Sequence, residues 1–434
     1  MCTRIRARPL YAHPPANANE NGVTVPRLAP PYPIAPLEAD EVTDFVRTAM
    51  GVFGHSLGDA AVAHLVELEL ADPSLSLVAR DDGRIVGTTT VLDLPLTLPG
   101  TVVVDCAGVT TVAVLPTHRR RGVLTSLMRR QLDDLHAEGR TWAALYASEA
   151  TIYGRFGYGP ATRSVTARID RQWTTMRPPV THGDVELLTP DQALERVPPI
   201  YAAVAREVPG MMAQPEAMWR HLLTWDPADE RDGMSERFIV AIGDDAYATY
   251  RVSDDWSDSG PDATLRVEQC MATDVEAHRQ LWAFLFGVDL VQHIRVRRLP
   301  VDTPLPWWLA EHRRLHRTVG DPLHVRLIDV GPALSQRATT AHTGVVIDVT
   351  DPFCPWNTRR WSLEGDGARL RCVPSTAAAD LALDVRDLAS VSLGGNAPTE
   401  LGRAGMIDEL TPGSLRRLTG LLASERVPYN AFTF

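Results

Sequence analysis

Residues Val112 to Thr125, VAVLPTHRRRGVLT, constrain the fold more tightly than any other part of this chain. An apolar, β-branched run stops at Leu115-Pro116, turns through Arg119, Arg120, Arg121 and Gly122, and opens a helix. Val123, Leu124, Leu127, Met128, Leu132 and Leu135 then recur at helical spacing up to Ala137, with Arg129, Arg130, Asp133 and Asp134 on the other face. Gly139 stops that helix, and Trp142 to Tyr146 reads as the next strand. A strand end, free backbone N–H groups, a helix N-terminus and cationic side chains therefore meet at one point. Unpaired amides and the helix dipole favour phosphate there, and guanidinium groups add charge-assisted hydrogen bonds. The glycine spacing matches neither the dinucleotide fingerprint nor the P-loop. A solvated basic helix start is the bland alternative.

The turn is similar to the pyrophosphate loop of the GCN5-related N-acetyltransferases (GNAT). Their Gln/Arg-x-x-Gly-x-Gly/Ala pattern falls on Arg119, Gly122 and Leu124, with Leu124 departing from the small residue at its end. ASEATIYGRFGYGPAT follows from Ala147 to Thr162. With both segments, and with Ile200-Tyr201, Val208-Pro209-Gly210, Tyr250-Arg251-Val252 and the tail from Val427-Pro428 to Phe434, the chain resembles the Eis (enhanced intracellular survival) family of N-acetyltransferases. The likeness spans nearly everything after about residue 30. It implies an α/β (α+β) architecture of tandem GNAT-like domains, the second degenerate, followed by a sterol-carrier-protein-like C-terminal domain. It also implies acetyl-CoA as co-substrate. The backbone of Val112, Ala113 and Val114 would pair with pantetheine, and Arg120, Arg121, Gly122, Val123, Leu124 and Thr125 would hold the pyrophosphate. Arg119 would reach the same phosphates or stay exposed; Ser148 and Glu149 would line the cofactor, with Glu149 equally able to pair with an arginine.

At 434 residues the chain exceeds the size over which one core keeps growing. The expected divisions are a mobile extension over 1–30, a catalytic domain over 31–170, a degenerate GNAT-like domain over 171–321 and a sterol-carrier-like domain over 322–434. The second region repeats the first: Phe238 to Ile242 and Ala246 to Val252 flank Gly243-Asp244-Asp245, a strand follows over Ala263 to Met271, and a helix over Val275 to Gly287. Where the first copy has arginines, this one has Ala272-Thr273-Asp274-Val275-Glu276, whose anionic residues Asp274 and Glu276 would repel phosphate. Chance recurrence of a common α/β order is the alternative. In the last region short strands are expected over Val345–Val349, Arg360–Leu363 and Ala368–Val373. Helical or mixed patterns cover Ala377–Leu383, Val385–Leu393 and Leu401–Leu422, and a last strand would return toward the first domain.

Hydrophobic content of 44% and a net charge of −11 describe a globular, acidic chain, which argues against a nucleic-acid partner. No apolar run is long enough to span a bilayer, and the first residues lack the apolar core of a signal peptide. Five scattered cysteines without a C-x-x-C pair fit a reducing cytoplasm, and the thirteen histidines show no ligand spacing, so no metal is expected.

Acetyl transfer needs a deprotonated amine, donors for the developing oxyanion and help for the thiolate. Tyr153, on the turn after the second cofactor strand, is the expected acid, since a phenol near pKa 10 can donate to sulfur; packing of that turn is the alternative. By resemblance the base is the carboxylate of the last residue, Phe434. A carboxyl near pKa 3.5 is a weak base unless desolvated or relayed by water, and a frayed end is the alternative. Phe53, His55 and Thr433 are expected at the acceptor, and His55 and Thr433 stand where the family pattern carries acids. The acceptor is thus an amine left open between aminoglycoside, polyamine and lysine side chain, and the assembly a homo-oligomer, hexameric by resemblance. The rival readings are a tandem-domain aminoacyl or long-chain acyl transferase and a non-catalytic acyl-CoA or lipid binder.

Overall fold

The computed structural model describes residues 32–68, 72–258, 260–320 and 323–434; the expected extension over 1–30 lies outside the described residues. The first sheet takes β1 (Ile34–Pro36), β2 (Ser76–Asp81), β3 (Arg84–Asp93), β4 (Cys106–Val114), β5 (Trp142–Tyr146) and β6 (Gly159–Pro160). Around it lie α1 (Val42–Val52), α2 (Asp59–Glu67), α3 (Val123–Ala137) and the single turn α4 (Ala150–Tyr153). The helical spacing read for α3 is realised: Val123, Leu127, Met128, Leu132 and Leu135 are buried against the sheet, while Arg130 pairs with Asp134 one turn on.

The second sheet contains β7 (Ser164–Asp170), β8 (Glu186–Leu187), β9 (Phe238–Ile242), β10 (Ala246–Val252), β11 (Ala263–Ala272), β12 (Val291–Pro300) and β13 (His316–Gly320), in the order β8-β9-β10-β11-β12-β7-β13. Helices α5 (Pro190–Glu207), α6 (Glu216–Thr224) and α7 (Val275–Gly287) belong to this half. The chain then returns to the first sheet as β14 (Leu323–Leu327), giving the order β1-β2-β3-β4-β5-β14-β6. The expected divisions at 170 and 321 therefore do not separate the sheets. β7 pairs with β12 and β13, and β14 pairs antiparallel with β5 from Leu323–Tyr146 to Leu327–Trp142. The exchange covers the outer edge of β5, whose backbone would otherwise be unpaired.

The third sheet has β15 (His342–Thr350), β16 (Arg359–Asp366), β17 (Leu370–Pro374), β18 (Leu381–Asp384) and β19 (Ile407–Glu409), ordered β17-β16-β15-β18-β19. With it go α8 (Val330–Ser335), α9 (Val385–Ser392), α10 (Pro398–Arg403) and α11 (Ser414–Leu422). The mixed pattern over Ala377–Leu383 ends in strand β18. The stretch Leu401–Leu422 divides into α10, β19 and α11, because Gly405 (φ 73°) and Gly413 (φ 86°) adopt left-handed backbone that stops a helix. No strand closes the chain: residues 423–434 return toward the first sheet without joining one.

Two contacts lock these parts together. Arg326 on β14, fully buried, donates to Asp351 beyond β15 at 2.5 Å, and Asp351 also accepts from Asn357 Nδ2 and the Cys354 amide. On the other side, His64 of α2 stacks on Trp225 at 3.8 Å between centroids and meets His221 of α6 at 3.2 Å between ring nitrogens. Burial, and then the neighbouring His64, lowers His221 to about 4; burial likewise lowers His64, against the pull of Glu67 and Glu230.

Asp351→Ala leaves the Arg326 charge buried and uncompensated. It should destabilise the chain by about 3–5 kcal/mol, read from urea unfolding. For the histidines the folded pKa lies below the unfolded value near 6.5, so the unfolded chain binds more protons. Their contribution is complete above about pH 6.5 and lost as pH falls toward 4. The melting temperature should drop across that window, and His221→Gln should flatten the drop.

Candidate active site

β4 and β5 run parallel for three pairs only, Cys106–Trp142, Ala107–Ala143 and Gly108–Ala144, and then part. From Val109 to Val114 the β5-facing edge of β4 has no strand partner. On its other edge β4 bulges against β3: Thr88 pairs with Ala113 and Thr90 with Thr110, so Thr111 and Val112 together oppose Thr89. Thr111 adopts φ 49°, and its carbonyl accepts from Thr88 Oγ1 at 2.7 Å. A bulge bends its strand locally and is common beside functional sites, and here it accompanies the parting of β4 from β5. The backbone of Val112, Ala113 and Val114 is thus free to pair with an amide-bearing chain, which is what pantetheine is.

The arginine turn follows directly. A 3-10 turn over Pro116–His118 is held by His118, which contacts Asp81 at 3.0 Å and Thr117 at 2.8 Å. Arg120 (φ 62°) and Gly122 (φ 85°) adopt left-handed backbone, and such residues in a turn gather N–H groups into an anion-binding concavity. A non-glycine residue held there stores of order 1 kcal/mol of strain, which persists where the surroundings enforce it. Gly122 is also the N-cap of α3, and no side chain caps that helix. The first amides of α3, those of Val123, Leu124 and Thr125, therefore lack a side-chain acceptor. Val123 is buried, Leu124 half-buried and Thr125 exposed. Arg119, Arg120 and Arg121 are all exposed; Arg121 donates to Tyr32 Oη at 3.1 Å, and the other two make no ion pair with a described residue. The matching point of the second half is closed. There Asp274 caps α7 and accepts from the Glu276 and Ala277 amides at 2.9 Å each. One helix start presents open amides to an anion, and the other is filled by its own carboxylate. The first point fits the pyrophosphate of coenzyme A; the second does not.

Beyond the diverging strands, Ser148 and Glu149 are exposed at the start of α4, and Glu149 makes no ion pair with a described residue. Tyr153 ends α4 and is buried, edge-on to Tyr158 at 6.1 Å. Its hydroxyl bonds to no other described residue, and burial pushes its pKa up to about 12 against the opposing charge of Arg155. The phenol thus stays protonated at neutral pH. Phe156 and Tyr158 are buried packing residues.

The terminal segment reaches the same strand end. Tyr429 donates its amide to Pro209 at 2.9 Å, Phe432 is buried, and the Phe432 carbonyl accepts a short hydrogen bond from Tyr146 Oη. The Phe434 ring meets Tyr146 edge-on at 5.4 Å and Phe432 at 6.0 Å; Thr433 between them is exposed. Burying a ring such as that of Phe432 stabilises by roughly 2–3 kcal/mol, enough to hold the end of the chain against fraying. Phe434 thus meets Tyr146 at the start of the segment that Tyr153 ends, and no ring or hydrogen-bond contact joins Phe434 to Tyr153. Phe53, 44% exposed, and His55 lie at the end of α1 and in the loop before α2, and no ring or hydrogen-bond contact joins them to the tail. Tyr146 and Arg298, whose guanidinium sits 5.5 Å from the Tyr146 ring centroid, did not emerge from the sequence. Tyr146 could have been found as the last residue of the second strand; Arg298 carries no local signal. Among the described residues no cluster of three or more metal-binding side chains occurs, and no helix is long and apolar enough to cross a membrane.

Comparison with known proteins agrees with this geometry. Residues 33–161 match an acetyltransferase (GNAT) domain family, 210–327 a second acetyltransferase (GNAT) family and 330–431 the sterol carrier protein domain. An uncharacterized N-acetyltransferase of Streptomyces avermitilis is 39% identical over 91% of this chain and 97% of its own length. The N-acetyltransferase Eis of Mycobacterium tuberculosis is 34% identical over 83% of this chain and 89% of its own. The crystal structure of Eis1 from Mycobacterium abscessus superposes with a TM-score of 0.82 at 34% identity, covering 93% of this chain and all of that one. Sharing both the paired GNAT halves and a third of its residues with Eis, this chain belongs to the Eis family of GCN5-related N-acetyltransferases.

Proposed function

We propose that this acetyltransferase moves the acetyl group of acetyl-CoA onto a primary amine at the end of β5, between Tyr153 and the terminal carboxylate. The observation that carries the reading is the docking of residues 429–434 against Tyr146, at the mouth left by the parted strands. Acetyl-CoA supplies an activated thioester carbonyl. The chain's residues then orient it: the β4 edge holds the pantetheine, the arginine turn and the α3 amides hold the pyrophosphate, and Ser148 and Glu149 flank the entry.

The new C–N bond forms as the C–S bond breaks. The proton lost by the amine goes to the Phe434 carboxylate, directly or through water. The sulfur takes a hydrogen bond from Tyr153 Oη. Burial holds Tyr153 protonated at neutral pH, so its phenol is available as the general acid. It hydrogen-bonds the developing thiolate, which takes its proton from Tyr153 or from solvent. The acceptor class named from sequence, an aminoglycoside, a polyamine or a lysine side chain, belongs to the same reading, as does assembly into a homo-oligomer, a hexamer by resemblance.

Thiol release from acetyl-CoA with a panel of such amines tests the proposal. Tyr153→Phe should keep coenzyme A binding, measured by calorimetry, and lower kcat by about 10²-fold or more. One residue added after Phe434 moves the carboxylate and should lower kcat comparably. Turnover preserved within about twofold would exclude Phe434 as the base, and tight coenzyme A binding without turnover on any amine would leave a binder.

A further inference from the structure

Strand β12 carries a bulge where it meets β7. Val296 pairs with Ala167 and Leu299 with Val165, so Arg297 and Arg298 together oppose Thr166. Two residues against one re-aim a side chain out of its alternating direction. Arg297 is exposed, whereas Arg298 is half-buried with its guanidinium carbon 5.5 Å from the centroid of the Tyr146 ring. The hydroxyl of that ring holds the Phe432 carbonyl, and its edge meets Phe434. The bulge is tied to the terminal segment as well, because Tyr429 Oη donates to the Arg298 carbonyl at 3.4 Å. The second half of the molecule thus delivers a cation to the end of β5 in the first.

No ion pair joins Arg298 to a described residue, the Phe434 carboxylate included. Its charge reaches the Tyr146 and Tyr429 phenols, where it opposes the rise that burial imposes. From Val427 to Phe434 the tail holds no Asp or Glu side chain, so the anion of this cluster is the terminal carboxylate, which the reaction uses for the amine. A half-buried guanidinium without a carboxylate partner is a ready receptor for one, through the paired N–H groups of its planar fork. A further ammonium group would meet it as a like charge.

We propose that Arg298 is a specificity residue that receives a carboxylate on the acceptor, so that among primary amines one that carries a carboxylate is preferred to its counterpart without one. This deepens the proposed function and rests on the amine being placed at Phe434. Arg298 touches the acceptor's acid group and takes no part in bond making.

The test compares amines that differ only by a carboxylate: L-phenylalanine with phenethylamine, and L-lysine with cadaverine, each with acetyl-CoA in the wild type, Arg298→Gln and Arg298→Lys. The carboxylate-bearing member of at least one pair should have a kcat/KM at least about 10-fold higher in the wild type. Arg298→Gln should remove that preference through KM while sparing the carboxylate-free amine, and Arg298→Lys should keep part of it. Equal use of both members by the wild type, or an equal loss for both in Arg298→Gln, overturns the assignment. Should no amine be acetylated, the proposed activity fails, and binding decides Arg298 separately. Calorimetry should then show N-acetyl-L-phenylalanine binding the wild type more tightly than N-acetylphenethylamine, with the difference lost in Arg298→Gln; equal affinities overturn the proposal.

Discussion

The parting of β4 from β5 after three pairs is the constraint on which the rest of the structure depends. Two parallel strands that separate leave rows of unpaired amides and carbonyls on their facing edges, and buried backbone tolerates such loss poorly. The edge of β4 therefore stays open beyond Gly108, and an exposed arginine turn stands immediately after it. The outer side of β5 is closed by β14, so that only the slot toward β4 stays open. The second half repeats the divergence, since β11 and β12 pair from Ala263 to Val267 and no further. Its helix start is filled by Asp274, however, and the slot has no phosphate clamp. The two halves share a strand order and differ in chemistry at the helix start, where three arginines and Gly122 in one face Asp274 and Glu276 in the other.

What the second half contributes instead is position. Tyr429 and Phe432 rest on Pro209 and near Tyr201, 6.3 Å from ring to ring, while Tyr146 of the first half receives the Phe432 carbonyl. The terminal segment is consequently held by both halves at once. The exchange of β7 and β14 between sheets, and the buried Arg326–Asp351 pair between β14 and the last region, keep those parts in register. In the sterol-carrier-like region buried Arg337 donates to the carbonyls of Ser392, Leu422 and Ala423, tying α9 and α11 together just before the returning tail.

Much of the site was legible because it is local. Strand, turn, helix and second strand occupy Val112 to Tyr146 without interruption, and periodicity, glycine and proline placement report local backbone directly. The arginine turn and the anions at the second helix start were visible for that reason, whereas Tyr153 was singled out by resemblance. The helical or mixed pattern over Leu401–Leu422 did not show where its helices stop; two glycines in left-handed backbone set those ends.

Sequence by itself determined the run of strand, turn, helix and strand from Val112 to Tyr146 and the chemical character of the two helix starts, because these follow from neighbours within one or two helical turns. Only the tertiary structure decided sheet membership, the burial that holds Tyr153 protonated, the seat of Phe434 against Tyr146 and the approach of Arg298. Each of these joins residues more than a hundred positions apart or depends on how much water is excluded. Strand pairing is indifferent to sequence distance: β14 meets β5 almost two hundred residues upstream because an exposed edge needed a partner, and no periodicity along the chain encodes which edge that is.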